Sequence, residues 1–346
     1  MVMEPGKAII MGGTYRIPVL AGLLDANFVA DLRSDGTFNE ASFDREYMSV
    51  WSGTAEDAFF SGEAFDRNRI LQKPEYEYSG HSSSSSYYIL AVDVGRGGAG
   101  NKKGCDTVVC AIKVTPQNYG DTSIKTLVNI YTYNDMHFED QAINIKRLYA
   151  KYKARRVVID ANGLGIGLVD YMVKSQVDND TGEEFPSFGV EGATFDGWRE
   201  EYKRFVTANT EQDAMFLIKA NAPINTEAHT NVQTQLTSGK IKFLIDERAA
   251  KAKLLGTTRG QQMTMEQRAD YLRPYTLTSV LKDEMMNLRE ENEGLNINLK
   301  QANRNIRKDK FSAIEYGLYY IKQVDDNKRK KHHKFVASQW RFSTQL

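Results

Sequence analysis

Cysteine is nearly absent. Cys105 and Cys110 are too close together for a disulfide framework and lack the companions of a zinc site, so a reduced, intracellular chain is the expectation. No sign of charge prevails either. Lys+Arg and Asp+Glu both number 45, so global charge names no partner, and any pull on nucleic acid must come from local patches. No apolar run approaches the ~18 residues of a membrane span. No charged-then-apolar leader opens the chain, so neither a membrane helix nor a signal peptide is expected. The pattern G-x-x-x-x-G-K-[ST] is missing as well, which leaves no phosphate loop for ATP hydrolysis.

What remains is an ordinary globular composition, 41% apolar and 26% charged over 346 residues. That length accommodates one large domain with an appendage, or two domains. Residues 1–80 read as an arm. Lys7–Met11 is a short strand closed by Gly12-Gly13-Thr14, Phe43–Trp51 a short helix with Ser42 as N-cap, and Tyr76–Ser86 a serine-rich flexible linker. The main domain is expected over 81–326, followed by a basic tail at 327–346.

The main domain opens on YYILAVDVGRGG, Tyr87–Gly98. This apolar run is bounded by glycine and the Ser82–Ser86 tract, and reads as a strand buried on both faces. It carries one carboxylate, Asp93. A buried carboxylate is costly unless paired or metal-bound, so Asp93 is either a satisfied core acid or the first ligand of a site. Thr107–Val114 and Thr126–Tyr133 follow after short polar connections, predicting an antiparallel meander. His137–Lys153 has helical periodicity, Val157–Ala161 is a strand, Ile166–Ser175 a helix and Ser187–Glu191 a strand. Three antiparallel strands, then helix, strand, helix, strand is the order of an α/β, ribonuclease H-like mixed sheet flanked by helices. Ala214–Ala220, Asn231–Leu236 and Lys240–Ile245 are expected to complete it as strand, helix and strand. Thr278–Arg289 reads as a helix and Leu295–Leu299 as a strand.

The carboxylates fall where such a sheet can gather them. Asp160 ends VVIDA as Asp93 ends YYILAVDV, and neighbouring parallel strands would converge both at one sheet end. Asp309 opens a helix whose stripe is Phe311, Ile314, Leu318 and Ile321, where the helix dipole favours an ionised ligand. Each acid alone is more often a turn or cap residue. Together, three acids without histidine or thiolate suit Mg²⁺ or Mn²⁺. Two such ions roughly 4 Å apart can hydrolyse a phosphodiester. Asp106 opens the second strand and is either a further ligand or a turn residue.

Gly95–Gly100 satisfies G-x-G-x-x-G after a strand, yet a polar loop and another strand follow where a dinucleotide site needs a helix. The dinucleotide reading is rejected. The turn then leaves room for a phosphate backbone, with Arg96 and Lys102–Lys103 as phosphate contacts or solvated loop charges. Lys308 and Lys310, flanking Asp309, are the better candidates for holding a scissile strand. The run Lys328–Lys334 is a solvated tail or a DNA-tracking one.

ILAVDVGRGG with DTVVCAIKV, VVIDANGLGIGLVDYM and KDKFSAIEYGLYYIK resemble the three acidic blocks of the large-subunit terminase nuclease of tailed bacteriophages. FDREYMSVWSGTAEDAFF resembles the segment joining the terminase motor to that nuclease. The resemblance implies that Asp93, Asp160 and Asp309 are catalytic, metal-binding acids, with Asp106 accessory. It implies an endonuclease cutting concatemeric double-stranded viral DNA during genome packaging in the host cytoplasm. It also implies partners: a small terminase subunit, the portal protein and an ATPase motor. KAIIMGGTYRIP resembles the end of that motor, so the chain is expected to be a C-terminal portion of a large terminase. The alternatives are a non-catalytic DNA- or portal-docking module, and a ribonuclease H-like resolvase or transposase.

Overall fold

The computed structural model describes residues 2–4, 8–10, 14–25, 27, 57–80, 85–95, 106–117, 122–191, 200–293 and 296–343, with the side chains of 2–4, 8–10, 292–293 and 331–343 excluded. The chain divides into two compact units, Met1–Ala58 and Phe59–Leu346. In the first, Val2–Glu4 pairs antiparallel with Ala8–Ile10, and Arg16–Leu20 is helical. The Phe43–Trp51 helix lies outside the described residues.

The second unit is built on an eight-stranded mixed sheet. Its elements are α1 (Gly62–Arg67), β1 (Arg69–Leu71), β2 (Tyr87–Asp93), β3 (Thr107–Thr115), β4 (Ile124–Tyr133), α2 (Phe138–Tyr152), β5 (Arg156–Asp160) and α3 (Leu164–Met172). There follow β6 (Phe188–Val190), β7 (Glu211–Ile218), α4 (Ala222–Thr237), β8 (Ile241–Leu244), α5 (Glu247–Leu255), α6 (Thr258–Gln262), α7 (Met265–Met286), β9 (Leu288–Glu293), β10 (Asn296–Gln301) and α8 (Asp309–Ser343). The strands lie in the order β6-β7-β5-β2-β3-β4-β8-β1. Both β2–β3 and β3–β4 are antiparallel, while β5 runs parallel to β2 and β7 parallel to β5. This central order is the ribonuclease H-like arrangement expected of the sequence.

Burial explains why β2 is central. Tyr88 through Val92 are all buried, alternating between two core layers. Ile89 and Ala91 face the layer containing Val232 of α4 and Ile314 and Leu318 of α8. Tyr88, Leu90 and Val92 face Ile145 of α2 and Leu168 of α3. Each fully buried Ile, Leu or Val in such a strand contributes about 1.5–3 kcal/mol, which outweighs the weak local signal of a short strand.

Several boundaries differ from expectation. The 59–80 segment belongs to the second unit, because Phe60 and Phe65 are fully buried in its core and Phe65 stacks on Phe243 at 4.1 Å. Residues 76–80 are no loose linker: Tyr78 N–H donates to Lys151 O at 2.9 Å, and Tyr78 packs edge-on against Tyr88. The strand beside β5 is β7. The five consecutive buried residues Ala214–Ile218 hold the interior position, and the three-residue β6 is left at the edge. Past Asp326 the backbone does not become a tail but continues as α8 to Ser343.

Candidate active site at the strand ends

The register Val92↔Ile159 places Asp93 and Asp160 on the next rung of β2 and β5, about 4.8 Å apart in the strand-to-strand direction. Side chains alternate along a strand, so Asp93 shares the face of Ala91, and Asp160 that of Val158. Both residues lie in the core layer that holds α8. The two carboxylates therefore stand side by side at the C-terminal sheet end, beneath the helix that begins with Asp309.

Local structure fixes each acid. After Asp93, the N–H of Gly95 donates to Thr107 Oγ1 (3.0 Å), and that buried hydroxyl donates to Gln141 Oε1 (2.7 Å), tying the strand end to β3 and α2. Asp160 Oδ1 accepts from Asn162 N–H at 3.0 Å, starting the turn into α3. That turn needs Gly165: a Cβ there would lie 1.8 Å from the carbonyl oxygen of Asp160. Gly165 thus serves the tight strand-to-helix turn.

Asp309 depends on a residue the sequence reading passed over. Glu284, on α7, is 1% exposed, and its Oε2 accepts from the backbone N–H groups of Lys310 (2.8 Å) and Phe311 (3.0 Å). Its Oε1 accepts from Lys310 Nζ at 3.1 Å. A side chain from another helix thereby caps the first turn of α8, satisfying amides that have no intrahelical partner. Further along α8, Gly317 meets β2 so closely that a Cβ would lie 2.6 Å from the Ala91 methyl. Cap and contact together set where Asp309 stands.

The electrostatics are those of crowded acids. Burial, then the facing Asp309 and Asp160, push the Asp93 carboxyl up to about 8. Burial raises Asp160, opposed by the Asn162 hydrogen bonds and by Lys308. Burial also raises Asp309, opposed by Arg307 and Lys310. Glu284 is lifted to about 7 by burial, against the pull of Lys310. Tyr316, about two turns along α8 from Asp309, is raised by burial and then by Asp160, Glu315 and Asp93.

The other candidates divide. Asp106 pairs with Arg307 at 2.9 Å, and the same guanidinium nitrogen lies 3.6 Å from Asp309 Oδ2. Lys308 is exposed and its charge reaches both Asp93 and Asp160. Lys310 is 7% exposed and turned into the Glu284 pair, which makes it an internal counter-charge and corrects its reading as a strand-holding cation. Arg96 and Lys102–Lys103 lie outside the described residues.

Among the described residues, no group of three His, Cys, Asp or Glu side chains stands closely enough to enclose a metal ion as arranged. The chemistry of the donors nevertheless fits one. They are all carboxylates, and Asp309 Oδ2 is buried with no hydrogen-bond partner, its Arg307 neighbour lying too far to donate. A buried anionic oxygen without a hydrogen bond, facing two further carboxylates, suits a hard divalent cation.

An acid-walled sheet end on a ribonuclease H-like fold is thus the class of site this chain carries. No protein-family model matches the sequence, and no curated protein matches it. Solved structures that resemble it are phage large-terminase nucleases. The magnesium-bound large terminase nuclease from thermophilic phage G20c is 13% identical, with a TM-score of 0.42 over 76% of this chain and 97% of that one. The nuclease domain of the Thermus phage P74-26 large terminase is 12% identical (TM-score 0.38, 75% and 93%). The HK97 bacteriophage large terminase is 8% identical (TM-score 0.40), with 88% of this chain matching 52% of that one. The strand order β6-β7-β5-β2-β3-β4-β8-β1 itself defines the fold.

Proposed function

We propose that the chain is a metal-dependent endodeoxyribonuclease that cuts double-stranded viral DNA during genome packaging. The observation that carries this reading is the shared rung of Asp93 and Asp160 beneath Asp309. Asp93, Asp160 and Asp309 would hold the ion or ions, with Asp106 released from Arg307 to serve as an accessory ligand. One or two Mg²⁺ or Mn²⁺ ions bound there would supply an activated water and stabilise the leaving oxygen. The chain's own residues orient the reaction. The β2–β5 rung and the Glu284-capped start of α8 hold the three carboxylates, while exposed Lys308 offers a phosphate contact. Arg96 is a further phosphate contact in this reading.

As part of a large terminase, the chain would act with an ATPase motor, a small terminase subunit and the portal, in the host cytoplasm. No helix among the described residues is long and apolar enough to cross a membrane.

The test is plasmid nicking in Mg²⁺ or Mn²⁺ by the wild type and by Asp93→Asn, Asp160→Asn and Asp309→Asn. Each variant should lose cutting while remaining folded, and undiminished cleavage by Asp160→Asn would sink the assignment. The pairing of Arg307 with Asp106 and Asp309 favours one rival, a non-catalytic docking module whose acids are internal counter-charges. It expects metal-independent DNA retention and no cleavage in the same assay.

A further inference from the structure

Away from the acids, the segment following β1 and helices α5, α6 and α7 enclose a cavity of about 540 Å³. That is within the range of small-ligand sites. Among the described residues its wall carries the cationic side chains of Lys73, Lys253 and Arg259 and no carboxylate. In a chain with equal numbers of acidic and basic residues, this is a local segregation of charge. Lys253 donates to the neutral Oε1 of Gln72 and makes no ion pair among the described residues. Lys73 and Arg259 make no hydrogen bond or ion pair among the described residues.

The flat surfaces come from tyrosine. The rings of Tyr271 and Tyr275 stack with centroids 6.0 Å apart and 30° between planes. Tyr275 is held in place by its hydroxyl, which donates to Gln72 O at 2.8 Å. Tyr76 is 51% exposed and stands at the opening. A second cavity, of about 630 Å³, shares Tyr76, Arg259 and Tyr271 with the first and widens the mouth. The acid it adds, Asp270, is paired with Arg273 at 3.1 Å.

Aromatic walls combined with these cations suit a ligand that is itself flat and anionic. An apolar ligand would leave the cations unused, and inorganic phosphate would leave the rings bare. We propose that this cavity binds a nucleoside phosphate, with its base stacked on Tyr271 and its phosphate held by Arg259 and Lys73. The same chemistry reaches the cavity either as a free nucleotide or as the terminal nucleotide of a single strand. The site shares no residue with the acid cluster, and it stands whether or not those acids cut DNA.

Calorimetric titration of the full chain tests it, using deoxyadenosine monophosphate, a short phosphorylated oligo(dA) single strand and inorganic phosphate as probes. Saturable binding of the mononucleotide is expected, with inorganic phosphate weaker. Removing the ring in Tyr271→Ala should weaken binding by about ten- to a hundredfold, whereas Tyr271→Phe keeps it. Arg259 is exposed, so Arg259→Glu leaves the fold intact and should weaken binding at least tenfold. Tighter binding of the oligonucleotide than of the mononucleotide assigns the site to a strand end, and equal or weaker binding assigns it to free nucleotide. The proposal is overturned if neither nucleotide probe binds at millimolar concentration. It is equally overturned if inorganic phosphate binds as well as the mononucleotide, or if both Tyr271→Ala and Arg259→Glu bind like the wild type.

Discussion

Glu284 and Lys310 form a buried pair, 3.1 Å from Oε1 to Nζ, while the other oxygen of the same carboxylate caps the helix to which Lys310 belongs. Truncating the glutamate strands a buried ammonium and two helix-start amides at once. Glu284→Ala should therefore cost about 3–5 kcal/mol in urea unfolding. Glu284→Gln, which can still accept from an amide, should cost visibly less. Equal losses in the two variants would mean that the cap contributes nothing.

Asp93 should make the metal-free protein sensitive to pH. Its folded value, about 8, lies above the ordinary 3.8. The folded state therefore holds the proton more tightly than the unfolded chain does. Stability from this group is complete below about pH 4 and is lost as pH rises towards 8. Thermal melting in a chelator should show a falling Tm across that window. Asp93→Asn should flatten the fall and raise the Tm at the alkaline end while abolishing cleavage. A profile identical in both proteins would contradict the crowding of these acids.

Divalent metal should reverse that loss. A ligand present at a hundred times its Kd stabilises the folded state by about 2.7 kcal/mol. Mn²⁺ or Mg²⁺ should therefore raise the Tm of the wild type, and more so near pH 8, where the carboxylates are most strained by mutual repulsion. The double variant Asp93→Asn/Asp160→Asn should show no metal-dependent shift. If it is stabilised as much as the wild type, the ion binds elsewhere.

A second buried pair tests the anchoring of α8. Lys125, on β4, is fully buried 3.5 Å from Asp325, which also accepts from the backbone N–H (3.1 Å) and hydroxyl (2.7 Å) of Ser123. Lys125→Met leaves that aspartate without its cation and should cost about 3 kcal/mol. Differential scanning calorimetry would register the loss. A neutral effect would mean that the Ser123 hydrogen bonds alone satisfy Asp325.

Much of the central sheet was legible because β2, β3 and β5 are runs of buried β-branched and aliphatic residues, each flanked by turn-forming sequence. The rungs that bring Asp93 beside Asp160 follow from those runs once their parallel pairing is inferred. Helix α7 was harder. It begins at Met265, thirteen residues before the expected start, and Pro274 interrupts any simple helical pattern. Glu284 nevertheless has a signal in the sequence: it stands beside Leu281 and Met285 on the side of α7 that faces the core. A glutamate on an apolar stripe is a candidate buried acid. The reach of the 59–71 segment into the core was hidden by its brevity, since six-residue α1 and three-residue β1 gain their stability from Phe60 and Phe65 rather than from local pattern.

The contact of Gly317 with Ala91 also has a mechanical side. Asp309 lies eight residues from that contact, about 12 Å along the helix axis. The glycine is thus a fulcrum, and the acid sits at the end of a short arm. A methyl group at 317 would lift the arm from the sheet. The spacing between Asp309 and the Asp93–Asp160 rung is consequently set at a position that touches none of the three acids, and size changes at residue 317 offer a way to tune that gap without altering any carboxylate.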